Sequence, residues 1–81
     1  MNAEEAYKLA KKNFPQLTND EQTQVLKDIY EAASQGKFAL EIKGTAEKSD
    51  SYHYFLEDLG YRVEYKLLPQ KIRISWIQSM D

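Results

Sequence analysis

The chain has 81 residues, 42% of them hydrophobic and 30% charged, with a formal charge of −2. That size admits one domain with a single modest core, and that composition argues against disorder. There is no cysteine and a single histidine, which excludes disulfides, thiolate metal sites and histidine clusters.

The first five residues, Met1 to Glu5, are acidic and polar, where a secretory signal would be basic and then apolar. No apolar run approaches membrane-spanning length. The expectation is a cytoplasmic protein that does not engage a membrane. An acidic balance gives no global attraction to nucleic acid, so any such binding requires a local basic patch.

Residues 3 to 14 carry Ala3, Ala6, Tyr7, Ala10 and Phe14 at helical spacing. Glu4 and Glu5 come early and Lys11 and Lys12 late, the order that suits the helix dipole, and Pro15 ends the helix. Thr18 with Glu21 three residues on forms a capping box, beside which Leu17 can act as a staple. A second helix over residues 19 to 35 follows, with Val25, Leu26, Ile29, Tyr30 and Ala33 on one stripe and Gly36 where a left-handed cap belongs.

At residues 37 to 43 the period changes to two, with Phe38, Leu40 and Ile42 expected on a buried face. Ser49 or Asp50 is expected to cap a third helix that carries Tyr52, Phe55, Leu56 and Leu59 and stops at Gly60. Residues 60 to 76 then read as a hairpin, Tyr61, Val63 and Tyr65 alternating on one arm and Ile72, Ile74 and Trp76 on the other. The connection has no Asn-Gly turn and contains Pro69, so a loop longer than two residues is expected.

The expected fold is α+β in two layers, order α-α-β-α-β-β, within one domain spanning residues 1 to 81. Its helices cover one face of a three-stranded mixed sheet with a C-terminal hairpin. The crossover rule makes the first two strands parallel and the third antiparallel to its partner. The third strand is the most apolar and is expected to be central, the alternative being a central second strand. Trp76 has core parity, and its indole N–H is expected to find a carbonyl.

The pleat places Glu41, Lys43, Arg62, Glu64, Lys66, Lys71, Arg73 and Ser75 on the sheet face away from the helices. The bland reading is a solvated face with cross-strand ion pairs such as Arg62 or Arg73 with Glu64 or Glu41. The functional reading is a flat docking surface for a partner, with Arg62, Lys66, Lys71 and Arg73 as anchors. Aromatic residues share the opposite parity, so a nucleic-acid or nucleotide binder using this face ranks second.

His53 and Tyr54 on the third helix are candidate interface residues. Tyr52 and Tyr54 point to different sides of that helix, and at least one of them is expected to be exposed. An unpaired edge strand, or an apolar patch at Ile77 and Met80, offers a route to a homodimer. The pairs Glu4-Glu5, Asp20-Glu21 and Glu57-Asp58 diverge on their helices and suggest no shared ligand. There is no phosphate loop, calcium loop or serine triad spacing. Neither an enzyme, a cofactor nor a metal is expected, unless folding gathers His53, a tyrosine and a carboxylate into one pocket.

An Ala-rich helix end followed by Gly36-Lys37-Phe38, a helix ending Leu59-Gly60-Tyr61 with Val63 beyond, and a closing Ile72-Arg73-Ile74-Ser75-Trp76 together form a pattern. Over residues 32 to 76 the chain resembles small uncharacterised proteins encoded by tailed bacteriophages. The resemblance implies stoichiometric binding to a host or phage protein in the host cytoplasm, inhibitors of host defence such as anti-CRISPR proteins being one such class. It carries over no functional residue, because the shared positions are folding ones. The N-terminal helix, residues 1 to 18, lies outside it and is a candidate peripheral element.

Overall fold

The computed structural model describes residues 1–77. The elements are α1 (Ala3–Asn13), α2 (Asn19–Ser34), β1 (Ala39–Lys43), α3 (Ala46–Leu56), a single 3₁₀ turn (Glu57–Leu59), β2 (Arg62–Lys66) and β3 (Lys71–Ser75). This is an α+β fold in the order α-α-β-α-β-β. Among the described residues no helix is long and apolar enough to cross a membrane.

Each helix begins where a side-chain oxygen meets an orphan backbone N–H. Asn2 accepts from the Glu5 N–H at 2.8 Å, and Phe14 is extended, as a residue before proline prefers. Thr18 and Glu21 form the reciprocal capping box of α2. Two Schellman closures end helices, each with a glycine in the left-handed region that a side chain would strain. At Gly36 (φ +80°) the N–H groups of Gly36 and Lys37 donate to Ala33 and Ala32. At Gly60 (φ +88°) those of Gly60 and Tyr61 donate to Glu57 and Leu56.

β3 lies between β1 and β2. β1 and β2 run in the same direction, as a strand–helix–strand connection favours, but they are not neighbours. Every paired strand is therefore antiparallel, and the sheet is antiparallel where a mixed one was expected. The hairpin connection is the four-residue turn 67–70.

The register stacks Leu40, Ile74 and Val63 in one row and Ile42, Ile72 and Tyr65 in the next. On this face Ile72 and Ile74 join Val25, Ile29 and Leu56 as the buried core. Leu40, Ile42, Tyr52, Phe55, Tyr61, Val63, Tyr65 and Trp76 pack around them. The Trp76 indole N–H donates to the Lys37 carbonyl at 3.1 Å, and its ring meets Tyr61 edge-on.

Several local expectations are corrected. α3 starts a turn early, capped by Thr45, whose hydroxyl accepts from the Lys48 N–H. Ser49 and Asp50 lie inside it instead of capping it, Ser49 buried and Asp50 exposed, and Ser51 is buried as well. Ser51 donates to the Pro15 carbonyl at 2.9 Å, tying α3 to the link before α2. Phe38 precedes β1 and is 61% exposed. On α2 the buried line is Val25, Ile29 and Ala32, leaving Leu26, Tyr30 and Ala33 exposed. Leu59 is exposed as well, because the 3₁₀ turn rotates it off the packing face of α3.

Candidate functional site

The side of the sheet opposite the core is built by strict alternation. Ala39, Glu41 and Lys43 of β1 share it with Arg62, Glu64 and Lys66 of β2 and Lys71, Arg73 and Ser75 of β3. Five cations and two carboxylates thus occupy one face of a chain whose net charge is −2. The remainder of the chain is therefore acidic, and the molecule is electrically two-sided.

Register orders these charges into rows. Arg73 stands between Glu41 and Glu64, with opposite charges directly across each strand pair, the favourable arrangement. The next row outward is Lys43, Lys71 and Lys66 side by side. Among the described residues the ion pair formed on this face is Lys66 Nζ to Glu41 Oε2 at 3.7 Å, reaching over the central strand. It differs from the arginine pairs that residue type alone suggested.

Two open hollows flank Arg73. One, of about 600 Å³, is lined by Tyr61, Arg62, Glu64, Arg73, Ser75 and Ile77 among others. The second, of about 410 Å³, lies at the free edge of β1 between Lys37, Ala39, Glu41 and Arg73. Ile77 is exposed at the rim of the first; Met80 lies outside the described residues. Among the described residues β1 and β2 each pair only with β3 and are both edge strands.

The remaining candidates, His53 and Tyr54, lie apart from these cations, on α3 at its junction with α1. Tyr54 is half-buried because α1 covers it: its ring takes Phe14 edge-on at 5.1 Å and Tyr7 at 6.0 Å. Tyr52 is half-buried too, so neither tyrosine is exposed. Beside them Glu57 is a hub. Tyr7 donates its phenol proton to Glu57 Oε2, His53 Nε2 lies 3.0 Å from the same oxygen, and Lys11 Nζ approaches Oε1 at 3.9 Å. Lys11 also reaches Asp58 at 3.0 Å. Glu57 and Asp58 therefore converge after all, on one lysine ammonium from another helix.

An imidazole, a phenol and a carboxylate do meet here, at the junction of α1 with the end of α3. The hydrogen bond to Glu57, followed by partial desolvation, holds the Tyr7 phenol up at about 12. Such a phenol is a poor base or nucleophile at neutral pH. The adjacent concavity is lined by Lys8, Lys11, Lys12, Gln16 and Asp58, and neither His53 nor Tyr7 opens into it. What the cluster does is fasten α1 to α3. Residue spacing did not reveal Tyr7, Lys11 and Glu57 as partners, because they are brought together from some 50 residues apart.

Comparison with protein-family models, curated proteins and solved structures finds no match to this chain.

Proposed function

We propose that this chain is a small non-enzymatic binding protein of the kind tailed bacteriophages encode. It acts in the host cytoplasm by stoichiometric occupation of a host or phage protein's surface, as inhibitors of host defence such as anti-CRISPR proteins do. The observation that carries this reading is the outer face of the sheet. Among the described residues no helix covers it, it concentrates the cations of an otherwise acidic chain, and it carries two hollows that share Arg73. The resemblance over residues 32 to 76 supports the same class.

The test is capture from a bacterial lysate, followed by identification of the retained protein and reconstitution of a complex of fixed stoichiometry by light scattering. The wild type retains a partner, and Arg62→Glu with Arg73→Glu loses it while remaining folded. A double variant that binds as well as the wild type removes Arg62 and Arg73, with the hollows that share Arg73, from the function.

A further inference from the structure

Resting on that reading, we infer that the row Lys43–Lys71–Lys66, together with the exposed hairpin tip at Leu67 and Leu68, forms a docking strip for an acidic protein segment that also carries apolar side chains. The register sets three ammonium-bearing side chains next to one another across three strands, where neighbouring strands are about 4.8 Å apart. Like charges directly opposite destabilise a sheet. Among the described residues, Lys66 with Glu41 is the one ion pair the row makes. A strip whose members repel one another in the free protein gains most from an anionic partner that threads carboxylates between them. An acidic helix laid across the strands presents such groups at (i, i+4), about 5–6 Å apart.

The apolar half of the strip lies at the end of the row. Leu67 is 66% and Leu68 89% exposed, in the turn between Lys66 and Lys71. A loop tip with no other task is ordinarily polar. Two leucines beside three lysines fit a segment that alternates carboxylates with hydrophobic residues.

The same face argues against the other polyanions. The outward positions of the three strands carry no aromatic side chain on which a base could stack. Glu41 and Glu64 flank Arg73 in the adjacent row and would oppose a phosphate backbone passing along the strands. A lipid surface approached by the leucine tip would engage Lys66 and Lys71, which flank the turn, before Lys43, which stands one strand beyond Lys71 on the edge strand β1.

The experiment titrates the full chain against a fluorescent synthetic peptide with Glu at every fourth position and Leu between. Vesicles of phosphatidylglycerol and phosphatidylcholine, and a single-stranded oligonucleotide, serve as the other arms. The peptide binds, the affinity falling steeply with salt. Lys43→Gln with Lys71→Gln weakens it at least tenfold and flattens the salt dependence. Leu67→Ser with Leu68→Ser weakens it several-fold and leaves that dependence intact.

Lys71→Gln alone raises the melting temperature, since it relieves the repulsion; a lower melting temperature with unchanged peptide binding overturns the inference. So does preferential binding of the vesicles or the oligonucleotide, or equal peptide binding by wild type and the lysine variant. If a partner captured from lysate is lost in the Arg62 and Arg73 variant but kept by the lysine variant, the docking strip fails and the broader function stands. If the peptide binds through the lysines while lysate yields no partner, the strip stands and the broader function fails.

Discussion

α1 and α2 begin alike, each with a capping side chain and two acidic residues in its first turn, yet they are held by different physics. α2 buries Val25, Ile29 and Ala32 against the sheet and α3. α1 buries none of its residues and is attached by a phenol, an ammonium and ring edges. Burial is non-directional and accumulates with area, whereas exposed polar contacts contribute little each. An isolated helix of 11 residues is marginal in water. α2 should therefore open only with the whole molecule, and α1 should open by itself.

The largest test acts on the seam that α2 shares. Leu56 is fully buried at its centre, and Leu56→Ala should cost roughly 2–5 kcal/mol. A chain of this size has about 3–5 kcal/mol of net stability, so the variant should lack a cooperative melt by circular dichroism. Leu26→Ala, next in sequence to Val25 but on the exposed side, should change stability by no more than about 0.5 kcal/mol. Equal effects at the two sites would mean that the seam is placed wrongly.

Thr18→Ala should come next, at about 0.5–2 kcal/mol in urea denaturation. Its partner Glu21 also meets Lys48 Nζ at 2.7 Å, joining the starts of α2 and α3. The hydrogen bond with Lys48 lowers Glu21 below its ordinary value of 4.5, and the one with Glu21 raises Lys48 above its ordinary value of 10.5. The carboxylate's contribution is present above pH 4.5 and is lost as pH falls through the lowered folded value. The ammonium's contribution is present below pH 10.5 and is lost as pH rises through the raised one. Glu21→Gln should flatten the urea midpoint against pH at both ends.

The same contrast explains what could be read before the fold was known. Helix α2, with Thr18, Glu21 and Gly36 as its punctuation, and the alternation in β2 and β3 are local patterns that tertiary packing reinforced. α3 began early because its inward positions near the start are Ser49 and Ser51, so a buried helix turn looked like a polar loop. The outer face was legible from parity residue by residue, but its lysine row exists only through register, which pairs β1 with β3 and not with β2. The Glu57 hub was invisible, since an ion pair between distant residues leaves no periodic trace. His53 and Tyr54 looked like free surface for the same reason: the helix that covers Tyr54 does so without an apolar stripe deep enough to announce it.

Phe14→Ala removes a ring edge from Tyr54 and should cost about 0.5–1.5 kcal/mol of α1 docking. Amide exchange should accelerate across Ala3–Asn13 alone. Loss of protection in α2 as well would join the two helices into one cooperative unit and erase the distinction between them.

The smallest expected effect is also the most local. The hydrogen bond to Glu57 pushes the Tyr7 phenol from its ordinary value of 10.0 up to about 12. A group whose folded value is raised stabilises fully below its unfolded value and loses that contribution as pH rises through the folded one. The contact that fastens α1 should therefore persist to pH 10 and fade between 10 and 12. Among the six tyrosines, Tyr52 is also shifted upward, chiefly by burial, so a late phenolate phase by itself does not identify Tyr7. Tyr7→Phe should remove the step near pH 12 from the phenolate absorbance, and Tyr52→Phe should leave it. In the wild type, the ring-proton shifts of Phe14 and Tyr54 should move with that step, because both rings belong to the same docking contact. If Tyr7 instead ionises at its ordinary value while those rings stay in place, α1 is held by its aromatic edges and not by Glu57.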